Sequence, residues 1–198
     1  AARSCARSRS SRARAAGSGK SGGCVPVCGG IVLCVMGMAD LLEIDRREQL
    51  AVVEPGLILG DLFQAVEAEG LCYPPDPNSW PMCTLGGNIA ENAGGPRAFK
   101  YGVTREYVLG LDVITATGEA LTLGRRTKKG VTGYDLTALM VGSEGTLSIT
   151  RRATLRLLRK PAEIITMMAL FPDVRRAALA VEDIVAAGLV PRCLELVD

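Results

Sequence analysis

The chain has 198 residues, of which 48% are hydrophobic and 22% are charged, and its net charge is +2. This length and composition fit one globular domain, or one domain and part of another. The charge is too small to indicate nucleic-acid or membrane-surface binding, and the absence of about eighteen consecutive apolar residues excludes a predicted transmembrane helix.

The first sixteen residues differ in composition from the rest of the chain. They contain five arginines together with serine and alanine, and no acidic residue. This is typical of a mitochondrial transit peptide, but also of a disordered tail or of a stretch read in a wrong frame. We therefore predict that residues 1–16 are a disordered or non-native start. We expect a cytoplasmic protein, with a mitochondrial location as the alternative if the segment is a transit peptide.

Apolar periodicity predicts strands and one helix in the first half of the chain. A buried strand at 31–35 lies within the apolar stretch 24–38, and a hairpin follows with strands at 41–44 and 50–53. A helix is predicted at 59–69, with Gly70 as its C-cap. The prolines at 74, 75 and 77 then predict a stiff loop that is neither helix nor central strand.

The second half predicts further strands and a change of pattern after Pro161. The elements are a strand at 107–116, its return at 120–123, a short helix at 134–140 and a strand at 147–158. Beyond Pro161 the pattern predicts a β-α-β unit with a strand at 164–171, a helix at 173–187 and a strand at 191–197.

Between residues 84 and 102 the chain is unusually rich in glycine and asparagine. Two glycine pairs, Gly86-Gly87 and Gly94-Gly95, enclose Asn88 and Asn92. Such a segment offers little to a hydrophobic core, but it exposes main-chain amides to which a ligand can come close. Phosphate and the polar edge of a heterocycle are the ligands that this pattern favours.

A second glycine-rich segment, residues 17–23, contains Gly-Lys-Ser and also fits the letters of Gly-x-Gly-x-x-Gly. A P-loop is disfavoured because Arg14 stands where the pattern needs glycine and no strand is predicted before it. A Rossmann turn is disfavoured because Val25-Pro26 cannot open a helix. A turn whose successive N–H groups face a pyrophosphate fits better, with Lys20 adding positive charge.

The seven cysteines include no Cys-x-x-Cys pair, and the chain has no histidine. Zinc or another metal is therefore not expected, and the cysteines are interpreted as free thiols in a reducing compartment. The commonest general base near neutral pH is also missing.

Several longer motifs occur in a fixed order. They are Ser-Gly-Gly-Cys-Val-Pro-Val at 21–27, Val-Glu-Pro-Gly at 53–56, Tyr-Pro-Pro-Asp-Pro at 73–77, Cys-Thr-Leu-Gly-Gly-Asn at 83–88, Asn-Ala-Gly-Gly at 92–95, Lys-Tyr-Gly-Val-Thr-Arg at 100–105 and Gly-Ser-Glu-Gly-Thr-Leu at 142–147. With these motifs the chain resembles the FAD-linked oxidases of the vanillyl-alcohol oxidase type. The resemblance is greatest to the glycolate oxidase D subunit and to D-lactate and D-2-hydroxyglutarate dehydrogenases.

The resemblance implies an α+β fold. It would comprise a PCMH-type FAD-binding domain of two subdomains at 17–160, incomplete at its start, and the first β-α-β unit of a ferredoxin-like cap at 161–198. The pyrophosphate of FAD would lie against Gly19, Ser21, Gly22 and Gly23. The flavin and ribityl chain would be lined by Pro75, Asp76, Thr84, Gly86, Gly87, Asn88, Ala93, Gly94, Gly95, Tyr101 and Gly102. The adenosine end would be held by Glu144, Gly145 and Ile149. Spacing alone favours solvated turn residues at Asp76 and Glu144, so those two roles rest on the resemblance.

The activity implied is oxidation of a small 2-hydroxy acid, such as glycolate or D-lactate, with hydride transfer to flavin N5. An electron acceptor or partner oxidase subunits would reoxidise the flavin. FAD is expected to be non-covalent, because no histidine is present to attach it. No catalytic residue is predicted, because the family's catalytic groups lie outside the matched motifs. Two alternatives stay open: a truncated or mis-predicted gene product that binds flavin at most, and the less favoured alkyl-glycerone-phosphate synthase chemistry.

Overall fold

The protein is built from strands and helices in nearly equal parts. The computed structural model describes residues 11–27 and 29–197. Its strands are Ser11–Arg14 (β1), Ile31–Cys34 (β2), Leu41–Asp45 (β3), Leu50–Val53 (β4), Leu71–Cys72 (β5), Val108–Thr115 (β6), Ala120–Gly124 (β7), Ser148–Arg156 (β8) and Leu158–Arg159 (β9). Five of them form an antiparallel sheet in the order β3-β4-β8-β6-β7. The strands predicted between residues 41 and 158 are therefore confirmed, apart from small differences at their ends.

The helices pack on this sheet or follow it. They are Leu59–Ala68 (α1), Leu85–Glu91 (α2), Ala98–Tyr101 (α3), Leu136–Met140 (α4) and Val174–Ala186 (α5), with a 3₁₀ turn at Thr104–Tyr107. The predicted helices at 59–69, 134–140 and 173–187 are confirmed. Gly70 follows α1 at φ +71°, a conformation that suits glycine, as expected for the predicted cap. The two helices within the glycine-rich segment, α2 and α3, were not predicted.

The turn between β3 and β4 shows how the sequence sets the sheet register. Asp45 Oδ1 accepts hydrogen bonds from the backbone N–H groups of Arg47, at 2.8 Å, and Glu48, at 2.9 Å. A short carboxylate that binds its own following amides replaces a backbone turn, so the chain reverses here. Gln49 completes the reversal in the left-handed region, at φ +54°.

The core lies between one face of the sheet and the helices α1 and α2. Ala51 and Leu155 of the sheet are 0% exposed, as are Leu59 and Leu62 of α1. Burying each leucine side chain contributes about 2 kcal/mol. Leu85 and Ile89 of α2 join the same core at 0% and 2% exposure. The expectation that the glycine-rich segment adds little to the core is therefore wrong, because α2 turns these two side chains inward.

Backbone hydrogen bonds fix the starts of α1 and α2 side by side. The N–H of Leu59 donates to the carbonyl of Cys83 at 2.9 Å, and the N–H of Leu85 donates to Leu57 at the same distance. These two bonds join the segment that precedes α1 to the segment that precedes α2. As a result, the first turn of α2 is held at a fixed position beside α1.

The chain start forms a separate small sheet. Strand β1 pairs in parallel with β2 over residues 11–14 and 31–34. Part of the predicted disordered start is therefore ordered, while residues 1–10 lie outside the described range. The expectation that no strand precedes the glycine loop is wrong, since β1 does. The predicted strand at 31–35 is present but not buried, because among the described residues it pairs with β1 alone and Ile31 stays 60% exposed.

Beyond residue 160 the structure contains one helix, α5, among the described residues. The strands predicted at 164–171 and 191–197 are absent, because neither segment has a strand partner there and an unpaired strand is not stable. Asp173 caps α5 by accepting a hydrogen bond from the N–H of Arg176 at 2.8 Å. No side chain of α5 is buried.

Candidate functional site

A groove of about 470 Å³ lies where the first glycine loop meets α2. Its walls are the loop after β1, the helix α2, the loop at 143–145 and the first residues of β8. The groove thus lies between the small sheet and the five-stranded sheet. Segments distant in the sequence come together here.

The glycine loop presents a series of unused main-chain donors. In the described part of the chain, the N–H groups of residues 18–23 donate no hydrogen bond. Gly22 has φ +73°, so only a residue without a Cβ adopts this bend without strain. Arg12 anchors the loop from β1 by donating from Nη1 to the carbonyl of Gly23 at 3.1 Å. Several free N–H groups on one loop are the usual means by which a protein binds a phosphate.

Helix α2 forms the opposite wall, and its first glycine pair has two distinct roles. Thr84 caps the helix by accepting from the N–H of Gly87 at 3.4 Å. A Cβ at Gly86 would lie 2.7 Å from Pro55 Cβ, so this glycine allows close packing of the helix on the loop behind it. A Cβ at Gly87 would meet nothing closer than the Thr84 hydroxyl at 3.6 Å, and Gly87 lines the groove. Gly86 therefore serves packing, whereas Gly87 leaves space in the groove.

Asn88, on the next position of α2, is buried and incompletely bonded. The residue is 3% exposed, and its Nδ2 makes no hydrogen bond of normal geometry with the described residues. The Cys83 thiol beside it is a weak acceptor. A buried amide without an acceptor costs about 1–3 kcal/mol. A ligand in the groove that offers an acceptor would remove that cost.

The loop at 142–146 is attached to the end of α2. The N–H of Gly142 donates to the Ile89 carbonyl at 2.9 Å, and the N–H of Glu144 donates to Ala90 at 2.8 Å. Glu144 itself has φ +51°, an uncommon conformation for a residue with a side chain. These bonds bring the Glu144 carboxylate beside Gly23 of the glycine loop.

Asp76 forms an ion pair beside the groove rather than within it. Its Oδ2 lies 2.9 Å from Arg97 Nε, and its Oδ1 accepts from the Arg97 backbone N–H at 3.0 Å. Burial raises the pKa of the Asp76 carboxyl, although the Arg97 N–H and guanidinium act in the opposite direction. Gly95 packs so closely on the Asp76 carbonyl that a Cβ there would overlap it. The Asp76–Arg97 ion pair and the close packing of Gly95 therefore hold the proline loop rigidly against the second glycine pair, and we call this contact the Asp76–Arg97 joint.

The groove collects most of the predicted site residues. Those that line it are Gly19, Ser21, Gly23, Thr84, Gly86, Gly87, Asn88, Ala93, Gly94, Glu144, Gly145 and Ile149. Those that do not line it are Gly22, Pro75, Asp76, Gly95, Tyr101 and Gly102. The second set lies toward the joint and α3, where the Tyr107 hydroxyl donates to the Tyr101 carbonyl at 2.7 Å.

Other residues line the groove without having been predicted. They include residues 13–16, Pro55, residues 77–79, Ser143, Ser148 and Thr150. Ser143 directly precedes the predicted Glu144, so its position in the loop was a usable signal. The contribution of residues 13–16 depends on β1, which composition did not reveal.

The described residues contain neither a metal-binding cluster nor a helix that could span a membrane. No group of three or more histidine, cysteine, aspartate or glutamate side chains is arranged to hold a metal ion in this part of the chain. None of the helices in the same residues is long and apolar enough to cross a membrane.

A family model described as "FAD binding domain" matches residues 1–124. The chain belongs to this family. It is 48% identical over 185 residues to "Glycolate oxidase subunit GlcD" of Bacillus subtilis, which covers 93% of this chain and 39% of the relative. It is 43% identical to the Escherichia coli K12 protein of the same name, covering 93% and 37%. It is 38% identical to "D-lactate dehydrogenase" of Anaerostipes hadrus, covering 91% and 38%.

Solved structures support the same family. An alkyldihydroxyacetonephosphate synthase superimposes with a TM-score of 0.78 and 26% identity, over 92% of this chain and 33% of that one. The fold is accordingly the mixed α and β arrangement of PCMH-type FAD-binding domains, as predicted. The chain spans about two fifths of the length of the curated relatives it matches.

FAD is the cofactor of this family, and the residues present fit it. The free N–H groups of residues 18–23 suit a diphosphate, and the unpaired Asn88 amide suits a polar heterocycle edge. Gly87 leaves space for a close approach along α2.

Proposed function

We propose that the chain is the FAD-binding part of a flavin-dependent 2-hydroxy-acid oxidoreductase. The observation that carries the proposal is the run of unbonded N–H groups at residues 18–23, in a loop whose residues 18–21 and 23 line the groove together with α2. The relatives named glycolate oxidase subunit and D-lactate dehydrogenase support the class of substrate, which is a small 2-hydroxy acid such as glycolate or D-lactate.

In this proposal the groove residues hold different parts of FAD. Residues 18–23 donate to the diphosphate, and Lys20 adds positive charge beside it. The first turn of α2, with Thr84, Gly87 and Asn88, faces the ribityl chain and the flavin. Glu144 and Ile149 contact the adenosine end, where a carboxylate accepts from ribose hydroxyls or the adenine amine. The Asp76–Arg97 joint does not line the groove, and its role is to fix the proline loop that ends there.

Bound FAD supplies a hydride acceptor for the substrate carbon, and the protein supplies orientation and electrostatics. The chain contains no histidine, so its own residues offer no histidyl attachment. Non-covalent binding of FAD is therefore part of the proposal, and the acid-precipitation step below tests it. In this proposal no residue of the chain is assigned as the catalytic base or as a substrate-binding group. An electron acceptor or a partner subunit then reoxidises the flavin.

A titration of the purified chain with FAD tests the first part of the proposal. We expect quenching of flavin fluorescence that saturates at one FAD per chain, and release of all flavin on acid precipitation. A folded chain that leaves FAD fluorescence unchanged would contradict the assignment. Flavin that stays with the acid precipitate would contradict non-covalent binding.

The substrate class is tested with the flavin loaded, by adding glycolate or D-lactate without oxygen. Bleaching of the flavin absorbance supports oxidation of 2-hydroxy acids by this chain. Bound flavin that does not bleach supports a cofactor module without complete catalysis. The second candidate, alkyl-glycerone-phosphate synthase chemistry, is favoured by the structural match alone, and turnover of an acyl dihydroxyacetone phosphate in place of a hydroxy acid would support it.

A further inference from the structure

The groove contains a carboxylate on the wall that faces the glycine loop. Glu91, the last residue of α2, lines the groove together with Gly19 and Ser21. Its Oε1 accepts a hydrogen bond from the Ser21 hydroxyl at 3.3 Å. Gly19 packs against the same carboxylate so closely that a Cβ there would overlap Oε1.

The Glu91 carboxylate accepts the hydrogen bond that the Ser21 hydroxyl could otherwise donate to an anionic ligand. The Ser21 hydroxyl has one proton to donate, and in this structure it is directed to Glu91. The neighbouring N–H groups of the loop are free, so Ser21 is the donor of this stretch that is already engaged. A diphosphate placed against residues 18–23 must take this proton from Glu91 or leave it unused.

The charges around the groove do not favour a dianion strongly. The charged side chains that line it are Arg14 and Lys20, which are cationic, and Glu91 and Glu144, which are anionic. The lining is thus close to neutral near pH 7. Of the two carboxylates, Glu91 contacts the middle of the loop, whereas Glu144 lies at its end beside Gly23.

We propose that Glu91 is an internal anion that occupies the glycine loop and sets the affinity for the diphosphate of the ligand. This inference rests on the proposed FAD site. Binding of a diphosphate displaces the Glu91 carboxylate from Ser21 and leaves two like charges near each other, so affinity is lower than the loop alone would give. The same contact holds the loop in place when no ligand is bound.

Replacing Glu91 by glutamine tests the charge without losing the hydrogen bond. The glutamine carbonyl still accepts from Ser21, so Glu91→Gln removes the charge and little else. Because the residue is exposed to solvent and screened, we expect the Kd for FAD to fall by about fivefold, and the difference to shrink as salt is added. The matched control is Glu163→Gln, which makes the same change in net charge outside the groove lining and should leave the Kd unchanged.

Glu91→Thr gives a second test, because a shorter neutral side chain withdraws from the loop. The Glu91→Thr variant should also bind FAD more tightly than the wild type. Thermal unfolding without ligand shows whether each variant is folded. An unchanged or higher Kd in folded Glu91→Gln and Glu91→Thr, with normal binding by the wild type, overturns this inference and leaves the FAD site intact. Absence of FAD binding by the wild type and every variant overturns both.

Discussion

At the scale of single residues, the charged side chains near the groove serve two different purposes. Glu91 and Lys20 line the groove and are exposed, so their charges act directly on a ligand. Asp76 and Arg97 lie outside it and are largely buried, with side chains 12% and 28% exposed. The first pair is expected to affect ligand binding, and the second pair is expected to affect stability.

Arg97→Ala should destabilise the protein by about 2 kcal/mol near pH 7. The change removes the guanidinium that neutralises the largely buried Asp76 carboxylate, which keeps only its hydrogen bond from the backbone N–H of residue 97. It also removes the contact of the guanidinium with the Phe63 ring, whose centre is 5.8 Å away. Urea unfolding measures the loss. Arg126→Ala is the control, because its pair with Glu43 lies at the surface, where solvent screens the charges, and its loss should change stability little.

The effect of Arg97→Ala should also depend on pH in a defined direction. Burial raises the folded pKa of Asp76 above its ordinary value of 3.8, so ionising this group costs folding stability as the pH rises through that raised value. Arg97 offsets part of the cost only while Asp76 is charged. The destabilisation should therefore be smaller near about pH 3.5 than at pH 7, and an equal loss at both would contradict the ion pair.

Thiol reactivity gives a second prediction at this scale. Cys83 is 3% exposed, and burial raises the pKa of its thiol above the ordinary 9.0, whereas Cys34 is exposed. Because the thiolate is the reactive form, iodoacetamide near about pH 8 should label Cys34 at least about tenfold faster than Cys83. Peptide mass spectrometry measures both rates, and labelling in urea is the control. Equal rates in the folded chain would show that Cys83 is accessible.

At the scale of elements, α2 is the part of the molecule in which packing and ligand space meet. One face carries Leu85 and Ile89 into the core, and the other lines the groove with Gly87 and Asn88. The helix has seven residues, so its position depends on its neighbours more than on its own stability. The bonds of Leu59 to Cys83 and of Gly142 to Ile89 hold it at both ends.

The two adjacent glycines of α2 should therefore respond differently to alanine. Gly86→Ala forces a methyl group against Pro55 and should destabilise the chain by about 1–3 kcal/mol. Gly87→Ala meets no close atom and should change stability by less than about 1 kcal/mol, in favour of the helix. The same methyl lies in the groove, so the Kd for FAD should rise by about tenfold, equal to about 1.4 kcal/mol.

Thermal unfolding and FAD titration of both variants separate packing from binding. The assignment predicts that Gly87→Ala is a stable chain with weak FAD binding, whereas Gly86→Ala is mainly a less stable one. A Gly87→Ala variant that binds FAD as tightly as the wild type would show that the ligand does not approach this face of α2.

For the whole molecule, local patterns predicted the sheet well. The apolar runs at 50–53 and 107–116 and the Asp45 turn each lie within one continuous strand or hairpin, so neighbouring residues contain the information. They gave no signal for β1, whose residues Ser-Arg-Ala-Arg have neither apolar alternation nor strand-forming side chains. That strand exists because β2 pairs with it, which is a tertiary effect.

The predicted parts of the site differ from the others in the same way, by whether local sequence or tertiary contacts determine them. Glycine pairs and a family resemblance identified residues on three segments, and the fold brings most of them to one groove. Burial could not be predicted for 31–34, because exposure depends on whether another layer covers the strand. The β-α-β prediction at 161–197 failed for its strands for a related reason: periodicity identifies a segment that can pair, but not whether a partner is present.

Uneven burial across the molecule should be visible in limited proteolysis. None of the described residues beyond 160 is buried, and Arg175 and Arg176 lie on the exposed helix α5. Segments with few buried contacts open at little cost in free energy, so trypsin should cleave there early. Lys20 in the glycine loop and Lys129 after β7 are also exposed and should be cleaved early. Arg156 in β8, which pairs with β4, should be cleaved late.

FAD should protect one of these early sites and not the others. A ligand bound against residues 18–23 covers the bond after Lys20 and stabilises the folded loop, so cleavage there should slow as FAD approaches saturation. Lys129 and Arg176 lie outside the groove lining and act as internal controls whose cleavage rates should stay constant. Mass spectrometry of timed digests gives all three rates in one sample. Equal slowing at every site would indicate general stabilisation, whereas unchanged cleavage at Lys20 in the presence of bound FAD would contradict the position of the diphosphate.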